Sequence, residues 1–138
     1  MTTIEQKAEQ AAELKRKGLC NCCQAVVKVF AEELPCDEQT LLAASSGYAA
    51  GMGCMESTCG ALIGAVMVAG LKNEGKAVPP KARTLLSKFK ASCGATICGD
   101  LKGIKTGKVL CECDQCVKNA VLALGEDITL AYDGMTVN

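Results

Sequence analysis

The chain has 138 residues, enough for one domain with an ordinary core. Fifteen basic and fifteen acidic side chains cancel, aromatics make up only 3%, and there is no His. Charge and aromatic content argue against nucleic-acid and membrane partners and base-stacking platforms, and the missing His excludes Ser-His and Cys-His catalysis, His-bound zinc and His-ligated haem.

Helical patterns dominate in chain order. Thr3 is placed to cap a helix running to about Lys17, with Ile4, Ala8, Ala11 and Ala12 on one face, and Gly18 interrupts it. A second helix carries Cys22, Ala25, Val26, Val29 and Phe30 and stops before Pro35; Asp37 caps a short third one through about Ser45. Residues 47–60 contain four Gly and read as a loop. Ser57 is placed to cap a helix over residues 58–71, apolar nearly all round, whose stretch from Gly60 is expected to be the most buried element. Pro79 and Pro80 open a helix with Ala82, Leu85, Leu86 and Phe89 on one face, broken at residues 92–94. A short turn or helix at 97–101 and a Gly/Lys loop follow. Asp114 caps a last helix bearing Val117, Ala120, Val121 and Leu124, ended by Gly125, and residues 126–138 are expected to form a loose tail. Only residues 128–131 alternate like a strand, and no internal repeat is present. The expectation is one domain over residues 1–138, an all-α bundle of five or six helices.

The anomaly is eleven Cys, about 8% of the chain. They fall into four clusters, Cys20/Cys22/Cys23, Cys54/Cys59, Cys93/Cys98 and Cys111/Cys113/Cys116, with Cys36 alone. Three clusters share a Cys-x4-Cys spacing and two contain Cys-x2-Cys. The odd count, an N-terminus without an apolar leader segment and ample Ala, Val and Leu disfavour a secreted disulfide scaffold. No stretch reaches the ~20 apolar residues of a membrane span. A cytoplasmic protein whose thiols serve metal or redox chemistry is the expectation. Each cluster lies at a helix end or in the loop feeding it, where a positive dipole end and free backbone amides favour thiolates. Gly51, Gly53 and Gly60 let such amides approach a cofactor, although tight turns and helix packing explain the same glycines equally well.

At Cys59-Gly60-Ala61-Leu62-Ile63-Gly64, with Cys upstream and two downstream, the sequence resembles the C_GCAxxG_C_C family of redox-active proteins. The resemblance extends over roughly residues 15–122. It includes Gly18-Leu19-Cys20-Asn21-Cys22-Cys23-Gln24-Ala25-Val26, Gly51-Met52-Gly53, Ile97-Cys98-Gly99-Asp100-Leu101 and Cys113-Asp114-Gln115-Cys116-Val117. It implies a helical domain with a cluster or redox role, since split-Soret cytochromes contain a similar domain that holds an iron–sulfur cluster. It also implies Cys22, Cys59, Cys98 and Cys116 as the site cysteines. The sequence departs from that pattern at Cys23, where Ala is usual, and in the additional Cys20, Cys54, Cys93, Cys111 and Cys113.

The leading functional expectation is an iron–sulfur protein for electron transfer or redox storage, partnered by another redox protein, with a homodimer compatible. All-thiolate ligation suits [2Fe–2S], [4Fe–4S] or a larger cluster. If the four family cysteines surround one site, the extra ones are expected to line a second site beside it, giving two adjacent clusters or one of high nuclearity, with Lys102, Lys105 and Lys108 offsetting charge. The alternatives are a thiol–disulfide or persulfide enzyme using Cys20/Cys23 and Cys113/Cys116, or a Cu(I)- or zinc-thiolate protein.

Overall fold

A computed structural model describes residues 3–130, with side chains for residues 3–125. Seven α-helices follow in order: α1 (Ile4–Arg16), α2 (Cys22–Phe30), α3 (Glu38–Ala44), α4 (Gly60–Lys72), α5 (Val78–Cys93), α6 (Cys98–Lys102) and α7 (Cys113–Leu130). The bundle is all-α, with one or two more helices than expected because short α3 and α6 both form. Among the described residues there is no strand, only one antiparallel bridge between Thr58 and Ile97.

Local chemistry accounts for most helix starts. Thr3 accepts from the Gln6 amide and Gln6 reciprocates to the Thr3 amide, a capping box. Asn21 and Gln24 repeat that device at α2, and Asp37 caps α3 through the Thr40 amide. Proline in the first turn opens α5. Three boundaries differ from expectation. Cys59, not Ser57, is the N-cap of α4, because the Ser57 carbonyl is taken by the Cys98 amide in the bridge. Helix α7 begins at Cys113, so Asp114 lies in its first turn, where its carboxylate accepts from Arg16 of α1. Helix α7 also runs through Gly125 to Leu130, since the missing Cβ lets Ile4 of α1 pack directly on it. The stretch expected to be loose or strand-like is therefore helical over residues 126–130, and residues 131–138 lie outside the described ones.

No residue of α4 is exposed, as its all-round apolar surface demands, and α2 beside it is equally enclosed. The two approach closely at Gly64, where a Cβ would stand 2.9 Å from the Cys23 carbonyl oxygen. Around this pair α1 contributes Ala8, Ala11 and Ala12, α5 contributes Leu85 and Phe89, and α7 contributes Val117, Val121 and Leu124. Burying these side chains at about 25 cal/mol per Å² of apolar area supplies the main drive to fold. No described helix is long and apolar enough to cross a membrane.

Candidate metal centre

Four helices begin at one end of the bundle, and each has a cysteine at its cap or first position. Cys22 opens α2, Cys59 caps α4, Cys98 opens α6, and Cys113 opens α7 with Cys116 one turn in. The bridge holds two of these starts together: the Cys59 amide donates to the Thr96 carbonyl at 2.7 Å and the Cys98 amide to the Ser57 carbonyl at 2.9 Å. All five cysteines line one cavity of about 130 Å³, with Lys15, Asn21, Ala49, Ala50, Leu101 and Lys102 completing its wall.

A strained segment closes one side. Ala50, Gly51, Met52 and Gly53 all have left-handed backbone, with φ of 53°, 57°, 60° and 79°, as does Met55 at 66°. Each non-glycine residue held there costs on the order of 1–2 kcal/mol. The turn sets Gly51 against Cys98, with no room for a Cβ: the Cys98 Cβ would be 2.7 Å away. Gly60 is equally confined: a Cβ there would stand 2.6 Å from Cys22 Sγ and 2.7 Å from the Tyr48 carbonyl oxygen. Gly53, by contrast, faces open space and serves the turn alone.

The thiols differ in acidity for identifiable reasons. The hydrogen bond from Cys116 draws Cys59 down to about 7 against the cost of burial, helped by the Ala61 and Leu62 amides at the start of α4. Burial pushes Cys22 up, with the Ala50 amide opposing, and pushes Cys98 up, with Lys102 opposing. Burial alone would depress the Lys102 ammonium; its hydrogen bond to Cys113, with the nearby Cys98 and Cys22, raises it instead.

Beside the cavity lies a second group. The Sγ atoms of Cys93, Cys111 and Cys116 all lie within 4.8 Å of one another, and each residue is under a tenth exposed. Cys93 is the last residue of α5, at the negative end of that helix, unlike the cysteines of the cavity. Its thiol is nevertheless drawn down to about 6, first by the hydrogen bond from Cys116 and also by Asn119, whose Nδ2 donates to it at 3.2 Å. Cys116 is correspondingly pushed far up by its bonds to Cys59 and Cys93, and burial takes Cys111 up to about 11.

The remaining candidates sit elsewhere. Cys54 is exposed in the left-handed turn and donates to the Gly51 carbonyl. Cys20 is buried with Lys28 and Glu38 as its charged neighbours, and Cys23 faces Met67 Sδ at 3.9 Å. Neither lines the cavity. Lys105 and Lys108 are not in the cavity wall, whereas Lys102 is. Lys15, Asn21 and Asn119 join the site beyond the residues expected from sequence. Asn21 was legible in Asn21-x-x-Gln24 just before the thiols, and Asn119 lies three residues after Cys116 on the same helix face. Nothing in the sequence marks Lys15.

The fold is a helical domain that gathers thiols, most of them buried, at converging helix N-termini, where they could hold a metal. The chain belongs to the family described as "Putative redox-active protein (C_GCAxxG_C_C)", whose profile matches residues 20–126. No curated protein and no solved structure matches the chain.

Proposed function

We propose that the protein is an electron carrier or redox store that holds an all-cysteine-ligated iron–sulfur cluster in this cavity, with Cys22, Cys59, Cys98 and Cys116 as ligands and Cys113 as a fifth thiol in reach. The observation that carries the reading is the convergence of five thiols from four helix starts on one small cavity. The donor set fits the group. A single tetrahedral ion draws its sulfurs to about 3.8 Å apart, given metal–sulfur bonds of about 2.3 Å. Among the described residues, the cysteines lining this cavity form no such tight group of their own. Thiols spread around a space suit a cluster, in which separate irons take separate ligands.

A bound cluster would supply reversible one-electron chemistry. The chain's own residues supply the rest. Backbone amides at the starts of α2, α4, α6 and α7, with Lys15 and Lys102, offset the negative charge that thiolates accumulate. Burial of Cys22, Cys59, Cys98 and Cys116 keeps water from them. On this reading the physiological partner is another redox protein, in a reducing compartment such as the cytoplasm.

The test is iron and sulfide per chain in anaerobically purified protein. Single Ser substitutions at Cys22, Cys59, Cys98 and Cys116 are expected to lower bound iron sharply, whereas Cys36→Ser leaves it unchanged. Equal insensitivity at all five positions refutes the assignment.

A further inference from the structure

We propose that Cys93, Cys111 and Cys116 form a second, mononuclear site that takes one soft metal ion of the Cu(I) type, separated from the cavity only by the shared residue Cys116. Three observations carry this. First, the mutual spacing within 4.8 Å suits one ion. Three thiolates around a trigonal centre with bonds of about 2.3 Å stand about 4.0 Å apart, so the side chains need only draw in by under about 1 Å. Second, Cys93 and Cys111 take no part in the cavity wall, so they are not further members of the ring around it. Third, the group is made of cysteines alone, with the Ser92 hydroxyl 3.8 Å from Cys93 Sγ as a hydrogen-bonding neighbour. Among the described residues no fourth Cys, Asp or Glu joins the group. Asn119 turns its Nδ2 toward Cys93 Sγ, while its Oδ1 accepts from Gln115 Nε2 at 2.9 Å.

These features choose between metals. Zinc takes four ligands, completing a three-residue site with water. Three thiols that are 4%, 8% and 1% exposed leave such a water little access. Soft thiolate donors select Cu(I), which is satisfied by three of them. Binding is not a redox step: Cu(I) enters as Cu(I), three metal–sulfur bonds form, and each thiol proton still present passes to solvent. The resulting negative charge lies near the N-terminal turn of α7 and accepts the Asn119 N–H bond, which also fixes the Cys93 sulfur before the ion arrives. The proposal stands whether or not a cluster fills the cavity. When both sites are occupied, Cys116 bridges them or yields its cavity position to Cys113.

The experiment uses the full reduced chain under anaerobic conditions, with Cu(I) offered against a competing Cu(I) chelator. In a Cys22→Ser/Cys98→Ser background, which disables the cavity, one Cu(I) per chain is expected to be retained. Its X-ray absorption should show three sulfur neighbours and no lighter atom. Adding Cys93→Ser and Cys111→Ser should abolish that ion while far-UV helicity is kept. In an otherwise wild-type chain, the Cys93→Ser/Cys111→Ser pair should leave reconstituted iron unchanged. Cu(I) retention indifferent to Cys93 and Cys111 overturns the proposal, and so does a two- or four-coordinate ion in the background that keeps all three thiols. Failure of the cluster reading looks different: iron is then absent from every variant, whatever copper does.

Discussion

Replacing Gly60 by Ala measures how tightly the cavity wall is built. Gly60 opens α4 without a left-handed backbone, so by helix propensity alone Ala would be preferred by up to about 1 kcal/mol. Space reverses the sign. The new Cβ would stand 2.6 Å from Cys22 Sγ and 2.7 Å from the Tyr48 carbonyl oxygen. Ordinary contact begins near 3.4 Å, so the sulfur must retreat by about 0.8 Å, and the Tyr48 carbonyl, being backbone, cannot swing aside. Overpacking of this kind costs about 1–3 kcal/mol. For a chain of this length that lowers the unfolding midpoint by roughly 3–12 °C. The same displacement moves a proposed ligand, so iron content should fall as well. The assays are thermal unfolding of the reduced metal-free chain by circular dichroism, and iron per chain after anaerobic reconstitution. Gly53→Ala is the control: it meets open space, so its strain at φ 79° should lower stability by about 1–2 kcal/mol without lowering iron. A Gly60→Ala protein with wild-type midpoint and wild-type iron would refute the reasoning.

Lys102→Met removes the cation hydrogen-bonded to Cys113, so the midpoint potential of the centre should become more negative in a redox titration; an unchanged potential counts against charge compensation there. The Cys93 thiol is lowered from 9.0 to about 6, and a lowered acid adds stability that is full above the unfolded value and is lost as pH falls through the folded one. Metal-free wild type should therefore unfold at higher temperature than Cys93→Ser at alkaline pH, with the gap closing by about pH 5; a gap independent of pH would contradict the assigned thiolate. Gly125→Ala should destabilise by about 1–3 kcal/mol in urea despite the gain in helix propensity, because the new Cβ runs into the Ile4 side chain; a stabilised variant would show that α1 and α7 are not in close contact at that point.

The helices were legible wherever the deciding chemistry is local. Thr3, Asp37 and the Pro79-Pro80 pair mark starts within one turn of themselves, and all three mark real ones. The start of α4 was misplaced because Ser57 is a good cap by type, yet its carbonyl is committed to Cys98, forty-one residues away. Gly125 reads as a stop unless it is known that Ile4 packs on it. The site shows the same division. That cysteines cluster at helix ends was readable, but which neighbours meet was not. Cys54, Cys93 and Cys111 each stand five positions before Cys59, Cys98 and Cys116, yet the left-handed turn leaves Cys54 at the surface while the end of α5 carries Cys93 to Cys111. Spacing in sequence fixes direction only within a regular element, and each of these pairs straddles a break.

The Thr58–Ile97 bridge joins segments that are distant along the chain, and the cysteines of the adjoining cavity come from residues 22 to 116. An occupant of that end would act as a clasp. In the unfolded chain the same ligands can meet only by closing long loops, whereas in the native bundle they are already gathered. Binding to the folded state alone adds about 4 kcal/mol when the free ligand exceeds its dissociation constant about 1,000-fold. Emptying the centre would then slacken the leading turns of α2, α4, α6 and α7 together, and amide exchange there would accelerate as one unit. Chemical damage to a few sulfur atoms would thereby become a mechanical event, a loosening of one whole end of the molecule that a protease can read.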